Sequence, residues 1–350
     1  MPSLQQNLVL FFDRYLSAPE LQAPSAHPTR MPLFSPTDLP YLLLLGPQTG
    51  LGLFGALLRY KKSWGQLEWT SLADIYPRGL MFLYFFFLWN WEKFNRPRVK
   101  ITAHPLGAIL GEVFIRYICE LDSQIDRLDG VTNLRARANF ARQAPASQKL
   151  IAEFLCLLRQ CAYPRATQRE ILRYFQVYRQ QYLRICWQNA QKTELEADLE
   201  EVLREKSAVA GDLWAVWADL LCLAYQIPAE QRQTSHAVFH AFGMVTQVFD
   251  DMSDLNRDLL EFQPNIFYAL CLHFPAEAQL LRTHLAQRTD RFVSLVWEAL
   301  NLPQATRAAM QLVAGYLNLI RAADAEARIS PALERCSRLL QNRYLGQTLA

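Results

Sequence analysis

From Tyr41 onward, apolar residues recur at the i, i+3, i+4, i+7 spacing of amphipathic helices rather than in strict alternation. The interruptions are short and carry Pro or Gly: Pro77-Arg-Gly79, Arg96-Pro97-Arg98, Ala144-Pro145, Tyr163-Pro164, Ile227-Pro228, Gln263-Pro264, Phe274-Pro275, Leu302-Pro303 and Ser330-Pro331. Several place Pro near a helix start, where its missing N–H costs little. Glycine is scarce, at 13 of 350 residues, and no hairpin signal is present. The pattern predicts an all-α chain of roughly ten to twelve helices, about 10–25 residues each. No repeat period appears, which argues against a solenoid. Residues 1–40 read as a short helix followed by a Pro- and Ser-rich arm, and 41–350 as a single helical domain with a central cavity.

Two acidic clusters break the rule that charges lie opposite the apolar stripe. They are Asp122-Ser-Gln-Ile-Asp126 and Asp250-Asp251-Met-Ser-Asp254, about 130 residues apart. Each puts carboxylates at i and i+4, on one helical face. Gly111, Ile115, Ile118, Cys119, Asp122, Asp126 and Asp129 share one direction at about 100° per residue. So do His236, His240, Gly243, Gln247, Asp250, Asp251, Asp254 and Asp258. Carboxylates stacked one turn apart repel unless a cation sits between them. Two such helices side by side would line a cavity that is apolar at depth and acidic at its mouth. That shape suits a hydrocarbon carrying a diphosphate, with Mg²⁺ bridging the anions because it takes oxygen ligands from carboxylates and phosphates together. The metal would act as a Lewis acid toward the leaving group, and aromatic walls would shelter the cation left behind.

Composition narrows the alternatives. With 51% hydrophobic and 12% aromatic residues, a large core is available. Net charge is +3, from 36 basic and 33 acidic residues, too balanced to imply nucleic acid. Seven scattered cysteines without a CxxC read as reduced, buried thiols, which together with an N-terminus unlike a signal peptide points to the cytoplasm. The stretch Gly79 to Trp91 is apolar but shorter than the roughly 20 residues that span a bilayer. A buried helix is the first reading of it, and a peripheral membrane contact the second. His236 and His240 are spaced for zinc without the Glu of HExxH, so they read as a core or cavity pair, with His240 a candidate base. Tyr117, Trp214, Trp217, Phe239 and Phe242 are read mostly as core.

The paired aspartate helices resemble the class I isoprenoid synthase superfamily over about residues 105–270. That superfamily holds terpene synthases, trans-prenyl diphosphate synthases and squalene/phytoene synthases. Leu121 to Arg127 has the Leu-Asp-x-x-x-Asp-Arg shape of the large bacterial terpene synthases. The resemblance implies that Asp122, Asp126, Asp250, Asp251 and Asp254 hold about three Mg²⁺ ions, or Mn²⁺. It implies that Arg204 senses the diphosphate, that Lys206 contacts it, and that Arg343 and Tyr344 close over it. The substrate expected is a prenyl diphosphate of C15 to C25 or longer, and a homodimer is compatible. The second motif is Asp-based rather than Asn-Ser-Glu, as in prenyl and squalene synthases. Only Arg96-Pro97 remains of a second diphosphate site, which shifts weight from condensation toward ionisation of one substrate, that is, a terpene synthase. The alternatives are a prenyl transferase or squalene/phytoene-type synthase, and a non-catalytic helical interaction protein.

Overall fold

The computed structural model describes residues 105–126, 145–189, 197–260, 262–287 and 301–324, with a few positions between 87 and 101 and between 192 and 195. Of the described residues 87% are helical, and none is in a strand. The α-helices with both ends among the described residues are α1 (Pro105–Asp126), α2 (Pro145–Gln160), α3 (Arg165–Asn189), α4 (Leu199–Lys206), α5 (Asp212–Ala224), α6 (Ala229–Ser253), α7 (Leu255–Leu260), α8 (Ile266–Leu272), α9 (Pro275–Gln287) and α10 (Pro303–Ala323). A π-helical turn, Ser207–Gly211, joins α4 to α5.

Local chemistry sets many of these ends. Four helices (α1, α2, α9 and α10) begin on proline, which lacks the N–H that a first turn would leave unpaired. The side chain of Asp198 caps α4 by accepting from the N–H groups of Glu200 and Glu201. Asn265 does the same for α8 through the Tyr268 N–H. The start of α10 is capped from another helix: buried Glu277 on α9 accepts from the Gln304 and Ala305 N–H groups at 2.7 and 2.9 Å. A carboxylate there meets the positive end of the helix dipole.

The described residues fall into two compact units. Unit 1 holds the described residues of 181–215 and 236–324, and unit 2 holds those of 87–180 and 216–235. The arm at 1–40 lies outside the described residues.

In unit 2 an aromatic cluster joins α1, α2 and α3. Phe154 stacks on Phe175 with centroids 4.5 Å apart, and Phe114 meets Tyr178 edge-on at 5.7 Å. Arg116, 1% exposed, is held by Glu112 and by Glu153 at 2.8 Å. Phe87, Leu88 and Trp91 are buried, and Phe87 meets Trp217 edge-on. These residues of the apolar stretch Gly79 to Trp91 are therefore core. Gly111 is where α1 meets the Trp217 indole: a Cβ there would lie 2.9 Å from its Nε1. Trp217 is fully buried and has nowhere to go. Gly111→Ala is therefore expected to destabilise the protein by about 1–3 kcal/mol through overpacking, read as a lower urea midpoint at unchanged slope.

In unit 1, α8 packs against α4, α9 and α10. The continuous helix Leu199–Ala224 is long and apolar enough to cross a membrane, and 61% of its apolar window is buried inside the protein. The core helix of a soluble protein passes the same test.

Candidate active site

The second acidic cluster closes α6 and continues into α7. The Asp254 N–H donates to the Asp250 carbonyl at 2.8 Å, and the Asp258 N–H to the Asp254 carbonyl at 2.9 Å. Helical spacing thus survives the bend at Asp254. It sets the four aspartates along one side, as the sequence implies.

Asp251 is the buried centre, 1% exposed. Its Oδ1 accepts from Lys206 Nζ at 2.8 Å and from Gln247 Nε2. Its Oδ2 accepts from the Ile266 N–H at 2.6 Å, and its carbonyl from Asn265 Nδ2 at 2.6 Å. Asn265 Nδ2 also donates to Asp258 Oδ2 at 2.8 Å. Burial would lower the Lys206 pKa, but Asp251, Asp258 and Asp250 together hold it above the usual lysine value. The ammonium is thus fixed as a charged group. Asp258 is pushed well above the usual carboxyl range by burial, against the pull of Lys206.

Asp250 and Asp254 differ from Asp251 in keeping part of their surface accessible. Arg257 bonds Asp254 Oδ2 at 2.6 Å. Gln247 Nε2 approaches Asp250 Oδ2 at 3.4 Å. Burial first, then Asp254 and Asp251, push the Asp250 carboxyl up to about 7. A carboxyl raised in the folded state contributes stability at low pH and loses it as pH climbs. Here the loss runs from near 4 to about 7. Asp250→Asn is therefore expected to melt higher than the wild type at pH 8, by about 2–4 kcal/mol of stability. At pH 4, where Asp250 is protonated, the two should match. Thermal melts at the two pH values check this.

Beside this cluster lies a second polar group in unit 1. Ser207 Oγ is 2.9 Å from His240 Nε2, and Asp212 Oδ1 is 3.7 Å from the same nitrogen. Gln181 Nε2 donates to the Ala208 carbonyl at 2.8 Å and to Asp212 Oδ2 at 2.7 Å. Burial lowers the His240 pKa, with Asp212 opposing and His236 adding to the fall. Both Asp212 and Ser207 approach one ring nitrogen, so the three do not form the relay of a nucleophilic triad.

The other residues singled out by sequence fall in different places. Arg204 is three-quarters exposed and paired with Glu201, on a different side of α4 from Lys206, because two residues turn a helix by about 200°. Asp122, expected on an inner stripe, is exposed at the end of α1. The reason is that α1 is buried on every side from Gly107 to Ile118. Burial there follows position along the axis, not face. The side chain of Asp126, and Arg343 and Tyr344 entirely, lie outside the described residues.

Among the described residues no group of three or more His, Cys, Asp or Glu is arranged to hold a metal. Asp251, read as a ligand from sequence, has both oxygens committed to protein donors. Asp250 and Asp254 remain as a hard-oxygen pair with accessible surface. Mg²⁺ is commonly held by one or two carboxylates, its shell completed by phosphate oxygens and water. No family model, curated protein or solved structure matches the chain.

Proposed function

We propose that this protein is a class I terpene synthase, of isoprenoid-synthase type, that ionises a linear prenyl diphosphate with Mg²⁺. One observation carries the reading. Lys206 meets Asp251, inside the Asp250–Asp254 cluster, at 2.8 Å. Within it Asp250 and Asp254 would hold the metal. Mg²⁺, when bound, supplies Lewis acidity at the diphosphate oxygens.

The chain's own residues have three tasks. Asp251 anchors the Lys206 ammonium beside the acidic rim, so a fixed positive charge stands where the diphosphate would lie. Gln247 spans Asp250 and Asp251 and orients both carboxylates. Arg257, two-fifths exposed, sits on Asp254 and is placed to follow a phosphate oxygen. In the reaction the substrate's C1–O bond breaks heterolytically, and the electron pair leaves with the diphosphate. The allylic cation then cyclises or rearranges, and ends by losing a proton or capturing water.

Diphosphate release from farnesyl, geranylgeranyl and longer prenyl diphosphates, with Mg²⁺ and with chelator, tests this. Hydrocarbon or alcohol products from one substrate support the terpene synthase. Release only with isopentenyl diphosphate or a second prenyl diphosphate points instead to a condensing synthase. No release at any chain length would leave the cluster as a purely structural ion network.

A further inference from the structure

The π-turn Ser207–Gly211 lies directly between Lys206 and α5. A π-turn fits one more residue into a helix than the α-form does, and such turns concentrate at functional sites. If these five residues became α-helical with α5 fixed, α4 would rotate by about 100°, the angle of one residue. Lys206 would leave Asp251, and Ser207 would take its place. The choice between π and α in this turn therefore decides which side chain meets the buried carboxylate.

Several contacts hold the π-form. The Ala208 carbonyl accepts from Gln181, and Ser207 Oγ bonds His240 Nε2. The turn seats on α6 where side chains are missing. A Cβ on Gly211 would fall 2.5 Å from His240 Nε2, and one on Gly243 would fall 2.4 Å from the Ala210 carbonyl oxygen. On the far side, Glu205 is tied to Lys192 at 2.9 Å and to Asn189, which fixes the same rotation of α4.

We propose that Gln181 and His240 are positioning residues for Lys206: by clamping the π-turn they keep the ammonium on Asp251. Only the kinetic consequence of this rests on the function proposed above. The contact itself is read chemically.

The test is amine labelling of the folded full-length protein, with the rate at each lysine followed by mass spectrometry. In the wild type, Lys206 should label at least about tenfold more slowly than exposed Lys149, because a buried, paired ammonium rarely deprotonates. Gln181→Ala and His240→Ala, singly and together, should raise the Lys206 rate severalfold. His240→Gln, which keeps a polar partner for Ser207, should stay near wild type. Deleting Ala208 in the Gln181→Ala background should restore protection. It removes the extra residue and leaves Lys206 in phase as part of a regular helix, a rescue that loss of general stability would not show. If the protein turns over a prenyl diphosphate, KM should rise in the alanine variants and return with the deletion.

Circular dichroism selects the variants that fold, and the single substitutions suffice if the double one does not. Unchanged Lys206 labelling in folded Gln181→Ala and His240→Ala, or failure of the deletion to restore it, would overturn the proposal. Absence of turnover would count against the proposed function alone.

Discussion

Replacing Asp251 with alanine is expected to lower stability by about 3–5 kcal/mol, the cost of breaking a buried ion pair from one side. The loss has three parts. Lys206 is left as a buried cation, with its side chain 15% exposed. The Ile266 N–H at the start of α8 loses its acceptor. Gln247 loses the partner that orients it. For a chain of this size the melting temperature should fall by on the order of 10 °C. Lys206→Met combined with Asp251→Leu should recover part of the loss, because hydrophobic replacement of both partners removes the stranded charge. It should not recover all of it, since the Ile266 N–H stays unpaired. Chemical denaturation of the single and double variants measures the difference. A fully restored double variant would show that the α8 contact contributes nothing.

Asp250→Asn is expected to do the opposite to stability and more to activity. The amide relieves the repulsion from Asp254 and Asp251, so the fold tightens. It also removes a hard oxygen charge from the pair that would meet Mg²⁺. Diphosphate release should fall by at least about 100-fold, the scale of losing one preorganised electrostatic contact to a leaving group. Loss of activity with a raised melting temperature separates a functional carboxylate from a structural one. Asp251→Ala, which loses both, cannot make that distinction.

The helical class was legible from spacing alone, and so was the half-buried line along α6 through His240, Gln247 and Asp250. Both depend only on the 3.6-residue period. What Asp251 does was not legible. Its partners arrive from Lys206, 45 residues earlier, and Ile266, 15 residues later, and no periodicity joins them. Arg204 shows a different limit. Sequence assigned it and Lys206 to one diphosphate, yet two residues on a helix point about 200° apart, so they face different surroundings. The α1 stripe could not tell where Asp122 lies, because from Gly107 to Ile118 that helix is buried all round and the apolar period there carries no direction. Gln181 and the π-turn left no mark: Ser207-Ala-Val-Ala-Gly211 reads as ordinary helix, and the clamp exists only once α3, α4 and α6 are assembled.

The most direct measurement is diphosphate release by the wild type and by Asp250→Asn, assayed on farnesyl and geranylgeranyl diphosphate with Mg²⁺ and then with chelator. Release by the wild type should stop on chelation, and the folded variant should release almost none. Release that ignores both the chelator and the substitution would contradict the proposed function, as would the absence of release from the intact protein on every chain length.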